Sequence, residues 1–542
     1  MKGETKMKKI IYNASFLTLE DTIIDEDVEA IYIENDKIEK IGKKEEILSL
    51  KDNETEVIDA NGKTVMPSFI DAHSHFFAVA NDLSQINLNE CKNFSDIQNK
   101  ILEYVNNNKI NENQWIIANN YDHNNLKEGR NITKEELDEI LLGNPIVLKH
   151  KSGHSGVVNS RGLEILNISE DTISPEGGRI EKVDGRLTGY LEENAFIENI
   201  KKIPMESEED ILKNIIKAQE KYASYGITTV QEGFLSKELI PIYKMLVEKG
   251  ILNLDVVAYI EEKSMELIKK EFKENFKKYD NKLKIGGIKI FLDGSPQSRT
   301  AWMRTPYINN KNVEQEYYGY GTMKNSEVEK VIEKVYNADL QILAHCNGDM
   351  AAEQYISCVK KLEESGKNIE KIRPVLIHGQ LLDIDQLDEI KKLGIIPSFF
   401  IAHVYHWGEV HVKNFGLERA ERISPAGSSS KRKILYTFHQ DSPVIEPDMF
   451  ETIWCAVNRI TKEGKILGEN EKISVIDAIK ALTINPAYQY FEENNKGSIK
   501  EGKLADLIIL DKNPLKVNKS DIKDIKVLET IKNGKTIYKN TN

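Results

Sequence analysis

The sequence predicts an α/β protein built on a (β/α)₈ TIM barrel, with a β-sandwich domain built from both termini and an inserted subdomain. Three observations support this prediction. The middle of the chain alternates short apolar runs with amphipathic stretches, which is typical of a parallel α/β sheet. There are eight such runs, the strand number of a (β/α)₈ barrel. Both ends of the chain instead resemble short strands joined by turns.

The two ends predict one small composite sheet domain, formed by residues 1–66 and 491–542. Apolar segments at 10–12, 30–33 and 504–511 have the length and composition of strands. Residues 530–538 contain Asn533-Gly534 between two apolar runs, the strongest short signal for a β-hairpin.

The middle of the chain, residues 67–490, predicts the barrel. One helix is expected to begin near Ser207 and end at Gly226, and another to begin at Asp383 and end at Gly394. The eight predicted strands are 69–75, 228–232, 254–259, 285–293, 340–345, 374–378, 395–399 and 434–441.

The first interval between barrel strands is too long for one helix and its loops. Between His75 and Thr228 lie 152 residues, whereas a βα connection with its helix needs far fewer. We therefore predict an insertion at residues 90–205 that forms a lid over the substrate.

Composition excludes several classes of function. The chain has 542 residues and a formal net charge of −13, which makes it a poor candidate for binding the nucleic-acid backbone. No stretch reaches the about 18 apolar residues of a membrane helix, and no signal peptide is apparent. We expect a cytoplasmic protein that binds a small-molecule substrate, and neither nucleic acid nor membrane. The oligomeric state is not determined, and a homodimer is compatible with the sequence.

The four cysteines do not predict a disulfide framework or a thiolate zinc site. They are far apart in the chain and show no CxxC pairing. They are Cys91, Cys346, Cys358 and Cys455.

The strongest local motif is the segment 67–75, which ends in Asp71-Ala72-His73-Ser74-His75. Two histidines two residues apart on a strand point to the same face, so both imidazoles can bind one cation. Alone, the pair is equally compatible with incidental histidines at a polar strand end. Here it follows an apolar run and belongs to a wider set of residues.

Lys289 lies in the apolar segment 286–294. Period two places Lys289 on the face opposite Ile288 and Ile290, so it is expected to point into the barrel. A buried lysine loses its proton readily, and a neutral amine can take up CO₂ to form an anionic carbamate that bridges two metals. Taken alone, an ion pair of Lys289 with Asp293 or another carboxylate is the favoured interpretation.

His345, His378 and Asp441 each lie at the end of a predicted barrel strand. Singly, each is explained as a satisfied polar residue at a strand end. Together with Lys289 they all fall near the carboxyl ends of the barrel strands, where this fold places catalysis. The set therefore favours a functional site.

Four imidazoles and two anions suit a pair of zinc-like cations. Two metals can share a water, lower its pKa and polarise a substrate carbonyl. Asp441 would then take the proton of the attacking water and pass it to the leaving nitrogen. The motif His-Glu-x-x-His is absent from the sequence, so a zincin peptidase is not indicated.

These motifs resemble the amidohydrolase superfamily of metal-dependent hydrolases over nearly the whole chain. The resemblance rests on 67–75, on Lys289 in Gly-Ile-Lys-Ile-Phe-Leu-Asp-Gly, on His345, His378 and Asp441, and on the tail 497–507. Within the superfamily the chain is most similar to the branch that includes N-substituted formamide deformylases. The branch is indicated by 290–295 with 299–301, and by Gly153-His154 with Asn159-Ser160.

The resemblance implies a role for each ligand. His73 and His75 would bind the more buried metal with Asp441, carboxylated Lys289 would bridge, and His345 with His378 would bind the second metal. Two divalent ions are implied, with Zn²⁺ expected, although the same ligands accept iron or manganese. Ser68 and His439-Gln440 depart from the usual pattern, but neither departure removes a ligand.

Five further residues are candidate substrate contacts or orienting groups: His154, Glu193, Asp293, Arg299 and His439. The favoured function is hydrolysis of an amide-type C–N bond by a metal-activated hydroxide, the chemistry of a hydrolase acting on non-peptide C–N bonds. One alternative is a mononuclear, deaminase-like hydrolase in which Lys289 is unmodified. Another is a non-catalytic regulatory protein on the same scaffold. The sequence does not identify the substrate.

Overall fold

The computed structural model describes residues 7–20, 28–108, 110–111, 113–204, 207–308 and 316–541. The chain divides into two compact units. The first comprises Met1–Phe76 and Ala218–Asn542, and the second comprises Phe77–Lys217.

The described residues form strands and helices in the following order. The strands are β1 (Lys8–Tyr12), β2 (Ser15–Phe16), β3 (Ala30–Glu34), β4 (Lys37–Gly42), β5 (Thr55–Asp59), β6 (Thr64–Pro67), β7 (Phe69–Ile70), β8 (Ile86–Asn87), β9 (Ile116–Tyr121), β10 (Ile146–His150), β11 (Ser155–Val158), β12 (Gly178–Val183), β13 (Arg186–Glu193), β14 (Ile227–Leu235), β15 (Asp255–Glu261), β16 (Leu283–Phe291), β17 (Gln341–Cys346), β18 (Val375–His378), β19 (Ile396–Phe399), β20 (Thr437–Phe438), β21 (Leu507–Leu510), β22 (Val527–Lys532) and β23 (Lys535–Lys539). The α-helices are α1 (Lys44–Leu48), α2 (Phe76–Asp82), α3 (Phe94–Asn107), α4 (Lys134–Ile140), α5 (Ser160–Ile165), α6 (Asn194–Ile200), α7 (Glu208–Ser224), α8 (Ile240–Glu248), α9 (Met265–Glu271), α10 (Asn325–Asn337), α11 (Asp349–Glu364), α12 (Ile384–Leu393), α13 (His403–Phe415), α14 (Leu417–Ala420), α15 (Ala426–Lys431), α16 (Met449–Asn458), α17 (Val475–Lys480) and α18 (Ile484–Gln489).

Eight parallel strands form the central sheet of the first unit. Their order is β7-β14-β15-β16-β17-β18-β19-β20, so strands that are neighbours in the sheet follow one another along the chain. Two neighbouring backbone carbonyls connect the first strand, β7, to the last strand, β20. The N–H of Ile70 donates to the Leu482 carbonyl (2.9 Å), and the N–H of Phe438 donates to the Ala481 carbonyl (3.0 Å). The predicted fold class is confirmed, with all eight barrel strands present.

Local sequence signals set the limits of the helices between these strands. Helix α12 begins after Asp383, whose backbone N–H donates to the side chain of Gln386 (3.0 Å), the pattern of a capping box. It ends at Gly394, which has φ 63°. A left-handed residue at this position is a common helix C-cap, and glycine adopts it without strain. Helix α12 agrees with the predicted limits.

The first barrel strand is shorter than predicted, which corrects the expected placement of the two histidines. Strand β7 ends at Ile70, so His73 and His75 lie in the loop after it and not on a strand. The Asp71 carboxylate accepts the backbone N–H of His73 (3.2 Å), a local bond that competes with strand pairing. Strand β20 likewise ends at Phe438, before Asp441.

Two further sheets lie in the first unit. One has the order β4-β3-β1-β5, and the other, β2-β6-β21-β22-β23, combines strands from both ends of the chain. A shared apolar core contains Ile11 and Ile31 from the first sheet, and Val65, Leu507 and Ile531 from the second. The predicted domain limits, 1–66 with 491–542 and 67–490, stay predictions.

The second unit contains a six-stranded sheet in the order β12-β13-β11-β10-β9-β8. Strands β8, β9 and β10 are parallel, whereas β10 to β13 pair in antiparallel fashion. The predicted insertion 90–205 lies within the limits of this unit, and its role as a substrate lid stays a prediction.

In the part of the chain that the structure describes, no helix is both long and apolar enough to cross a membrane. The four cysteines are buried, and none forms a disulfide.

Candidate metal centre

Three histidines surround the carboxylate of Asp441 at the carboxyl ends of the barrel strands. The Nε2 atoms of His73 and His75 lie 3.3 Å and 3.4 Å from Asp441 Oδ1. The Nε2 atom of His378 lies 3.8 Å from Asp441 Oδ2. One ligand atom each from His73, His378 and Asp441 lies within 4.8 Å of the others, close enough to bind one metal ion.

Lys289 reaches this cluster from strand β16. Its side chain is 1% exposed, and Nζ lies 3.1 Å from His73 Nε2. Burial lowers the pKa of Lys289 to about 7, although Asp441 acts in the opposite direction. Lys289 therefore points into the barrel as predicted, and at neutral pH a large share of the amine is unprotonated.

Gln231 on β14 fixes the orientation of the His73 ring. Its amide nitrogen donates to the Ala72 carbonyl (2.7 Å) and to the Tyr490 hydroxyl (2.8 Å). Its amide oxygen therefore faces His73 Nδ1, at 2.5 Å. Nδ1 carries the proton and donates it to this oxygen, so Nε2 presents a lone pair to Asp441.

His378 is oriented by a chain of buried groups behind it. Its Nδ1 lies 3.2 Å from His439 Nε2, and His439 Nδ1 lies 2.9 Å from the Ser398 hydroxyl. With a proton on each Nδ1, His378 donates to His439 and His439 donates to the Ser398 oxygen, and His378 Nε2 is left with a lone pair. His439 is fully buried, and these contacts favour a positioning role for it.

His345 is held by Asp293. His345 Nδ1 lies 3.2 Å from Asp293 Oδ1, and the rings of His345 and His378 are 4.5 Å apart between centroids. Asp293 also accepts the backbone N–H groups of Asn347 (2.9 Å), Gly348 (2.7 Å) and Trp302 (3.1 Å). Asp293 is thus engaged with His345 and the backbone, which removes the basis for an ion pair with Lys289.

The backbone at the centre is strained and tightly packed. His378 and Asp441 have φ values of 73° and 53°, a region that residues other than glycine rarely adopt and that is often found at functional sites. A Cβ at Gly233 would lie 2.8 Å from the His73 ring and 2.9 Å from the Ser74 carbonyl. Only glycine fits at this position without displacing the ligand loop.

The protonation states are those of a ligand set. Burial, and next the charge of Lys289, holds the pKa of His73 well below its ordinary value, and burial does the same for His378. Burial acts to raise the pKa of Asp441, but the adjacent histidines, with His75 first, hold it well below its ordinary value. Neutral imidazoles and an ionised carboxylate are the forms that bind metals.

Three of the predicted substrate-contact residues are engaged with protein groups. His154 Nδ1 lies 2.8 Å from Glu193 Oε2, and both residues belong to the second unit. Arg299 donates to the Ile308 carbonyl (3.1 Å) and lies over the Tyr307 ring. Their roles toward a substrate stay predictions.

The residues that orient the ligands were missed by reasoning from the sequence. Gln231 is 158 residues from His73, and Ser398 is 41 residues from His439. Neither forms a motif with its partner. The available signal was weak: each is a polar residue within a predicted barrel strand, where an apolar residue is the default.

Comparison with known proteins extends the argument from the site to the whole chain. Residues 56–538 match the amidohydrolase family. The chain is 25% identical to the amidohydrolase YtcJ of Bacillus subtilis (strain 168), covering 98% of this chain and 99% of that protein. It is also 25% identical to the N-substituted formamide deformylase of Arthrobacter pascens, covering 95% of each. Among solved structures, an uncharacterized metal-dependent hydrolase from Pyrococcus furiosus has a TM-score of 0.74 at 25% identity, over 94% of this chain and 100% of that chain.

The matched region contains all the residues around Asp441. It confirms the predicted superfamily and the predicted class, a metal-dependent hydrolase that acts on carbon–nitrogen bonds. The chain belongs to the amidohydrolase family.

Proposed function

We propose that the chain hydrolyses an amide-type C–N bond of a small molecule at a centre of two divalent ions, with Zn²⁺ expected. The ions would be held by His73, His75, His345, His378 and Asp441, and bridged by a carbamate on Lys289. The observation that carries this proposal is the environment of Asp441 Oδ1. This oxygen is buried and has no hydrogen-bond partner among the described residues.

The donor set fits a cation at this point. Gln231 accepts a hydrogen bond from His73 Nδ1, so His73 Nε2 and Asp441 Oδ1 face each other as two acceptors 3.3 Å apart. Two buried lone pairs in contact are unfavourable without a positive charge between them. Imidazole nitrogens with a carboxylate oxygen are the ligands that zinc-like ions prefer.

Lys289 supplies the bridging anion in this proposal. Its neutral Nζ attacks CO₂, an N–C bond forms, and one N–H proton leaves to solvent. The product is a carbamate with one negative charge, which requires adjacent cations because it is buried. Burial favours this step because it lowers the pKa of the Lys289 amine to about 7.

Two bound divalent ions would lower the pKa of a water and polarise the scissile carbonyl. Asp441 accepts the proton of the attacking water as the O–C bond forms. It then passes that proton to the leaving nitrogen as the C–N bond breaks. Gln231, Asp293 and His439 hold the rings of His73, His345 and His378 in their ligand orientation.

The test measures metal content and the mass of Lys289 on the full chain. Wild type and a His73→Ala/His378→Ala variant are both loaded with Zn²⁺ and bicarbonate. The difference in their metal content per chain gives the number of ions bound around Asp441. We expect a difference of two ions, and an acid-labile adduct of one CO₂ on the peptide that contains Lys289. Lys289→Arg is the matched control, since it keeps the cation and cannot form the carbamate.

The other outcomes discriminate the alternatives. A difference of one ion with unmodified lysine would move the assignment to a mononuclear hydrolase. No difference would contradict the metal mechanism. The similarity to the N-substituted formamide deformylase of Arthrobacter pascens makes N-substituted formamides the first substrates to assay. A cytoplasmic location and a homodimer stay predictions.

A further inference from the structure

We propose that the second unit carries a metal site of its own, formed by Asp122, His123 and His150, which binds a divalent ion of the zinc type. All three residues belong to the unit Phe77–Lys217. None of them is among the proposed ligands around Asp441, so the proposal does not rest on the proposed function.

The sheet of the second unit brings these residues together. Strands β9 and β10 are parallel neighbours, and Tyr121 at the end of β9 is paired with His150 at the end of β10. Asp122 and His123 follow directly after β9. Because the carboxyl ends of parallel strands meet at one edge of a sheet, all three side chains emerge at the same edge.

The geometry is that of a three-ligand site. One ligand atom from each residue lies within 4.8 Å of the others. His150 Nε2 lies 3.6 Å from Asp122 Oδ1, and the rings of His123 and His150 are 5.7 Å apart between centroids. Two ligand atoms about 2 Å from a tetrahedral ion lie about 3.3 Å apart, so the separation of His150 Nε2 and Asp122 Oδ1 is close to that of a ligand pair.

Two nitrogens of the cluster make no hydrogen bond to the described residues. His150 Nε2 and His123 Nδ1 are buried and lack a hydrogen-bond partner within the described part of the chain. His150 and Asp122 are each 8% exposed. A buried polar atom without a hydrogen-bond partner destabilises the folded chain. Coordination of one ion would satisfy both nitrogens at once.

The charges of the cluster also suit a cation. Burial acts to raise the pKa of Asp122, but His150 and the hydrogen bonds from Asn124 hold it well below its ordinary value. Burial lowers the pKa of His123. The site therefore offers one carboxylate and a neutral imidazole without the loss of a proton at neutral pH.

Ser152 determines which nitrogen of His150 is available. His150 Nδ1 lies 3.1 Å from the Ser152 backbone nitrogen, which donates to it, and 2.9 Å from the Ser152 hydroxyl. In this arrangement the proton rests on Nε2, facing Asp122. Metal binding at Nε2 would require that proton to move to Nδ1, which would then donate to Ser152 Oγ and no longer accept from the Ser152 N–H.

The ligand types limit the choice of metal. Two imidazole nitrogens and one carboxylate oxygen favour Zn²⁺ or Co²⁺ over Mg²⁺ and Ca²⁺, which take mainly oxygen ligands. Three protein ligands leave one tetrahedral position for water. The ion would tie the segment after β9 to the end of β10.

The first test counts zinc on the full chain after loading with Zn²⁺ and desalting. We expect His123→Gln and His150→Gln each to retain one ion fewer than wild type. His154→Gln, a histidine change in the same unit outside the cluster, should retain the wild-type number. The His73→Ala/His378→Ala variant should keep this ion, so failure of one centre is distinguished from failure of the other. Equal zinc content in wild type and both cluster variants would overturn the proposal.

The second test needs no variant and therefore does not depend on the folding of altered chains. Anomalous diffraction at the zinc edge, from wild-type crystals soaked in Zn²⁺, should give a peak bonded to Asp122, His123 and His150. A filled centre at Asp441 with no peak between these three residues would overturn the proposal.

Discussion

Strand β16 carries two buried lysines, Lys284 near its start and Lys289 near its end, and their surroundings differ. Lys284 forms an ion pair with Glu492 and donates to the Tyr490 carbonyl (3.0 Å). Lys289 faces the lone pair of His73 and the carboxylate of Asp441. Lys284 is 5% exposed and Lys289 is 1% exposed. Burial alone therefore does not separate a structural lysine from a functional one.

The odd spacing of the two lysines is made possible by a bulge. In a regular strand, residues 284 and 289 would point to opposite faces. The pairing of β15 with β16 shifts register between Ile285 and Gly287. The extra residue restores a common face, as β-bulges do. A Cβ at Gly287 would lie 2.0 Å from the Gln341 carbonyl, so a glycine is required there.

The buried charges at the amino ends of the barrel strands are paired with one another, whereas the carboxyl ends hold a carboxylate among imidazoles. Lys496 contacts Asp255 and Glu492, each at 2.6 Å, and Lys532 contacts Asp255 and Asp506. At the other end, Asp441 Oδ1 has no hydrogen-bond partner within the described part of the chain, and His378 and Asp441 have a strained backbone. This division agrees with stability at the amino face and catalysis at the carboxyl face.

The largest expected effect is on catalysis. Lys289→Met should lower kcat/KM about 10²–10⁴-fold with any amide substrate that the wild type accepts, because the bridging anion is lost. Its free energy of unfolding without metal should not fall, since a buried amine that is costly to charge is replaced by an apolar side chain. Steady-state kinetics measure the change in kcat/KM, and denaturant unfolding measures the change in stability. A variant that unfolds readily and keeps its activity per folded molecule would contradict the assignment.

The complementary change should affect stability. Lys284→Met leaves Glu492 buried with Lys496 as its remaining cation, and we expect a loss of about 3 kcal/mol in the free energy of unfolding. Metal content should equal that of wild type. The double variant Lys284→Met/Glu492→Gln also removes the buried carboxylate that has lost one of its two cations, and it should recover most of the loss. If Lys284→Met instead lost metal at unchanged stability, the division between the two ends would be wrong.

The position of Lys289 was predictable because it depends on local pattern, and the cluster around Asp441 was predictable because its residues follow strand ends. Period two placed Lys289 inward, and the ends of apolar runs marked His345 and His378. The partners that orient them were not predictable, because Gln231 and Tyr490 meet His73 only through folding. The bulge at Gly286–Gly287 was not predictable either, because strand register depends on the pairing of β16 with β15.

A smaller effect is expected for the group behind His73. Gln231→Leu should weaken metal binding about 10–100-fold, because it removes the acceptor that fixes the ring of a ligand. Gln341→Leu is the matched control: Gln341 is a buried glutamine on β17 that donates to the carbonyls of Arg373 and Gln489. It should lower stability without changing metal affinity, measured by competition with a chelator. Equal affinity in both variants would remove the positioning role of Gln231.

The smallest expected effect is a loss of folding stability at low pH that arises from Glu492 at the amino end of the barrel. Burial acts to raise the pKa of Glu492, but Lys496 and Lys284 hold it below its ordinary value. A carboxylate whose pKa is lower when folded contributes stability above its unfolded pKa, about 4. That contribution is lost as the pH falls through the folded pKa, with a slope of at most about 1.4 kcal/mol per pH unit for one group. Metal-free wild type should therefore lose stability more steeply below pH about 4 than Lys284→Met/Glu492→Gln, measured by denaturant unfolding. If the unfolding free energies of the two proteins instead changed in parallel with pH, Lys284 and Glu492 would not be ionised in the folded chain. The contrast between the surroundings of Lys284 and Lys289 would then be smaller than their contacts indicate.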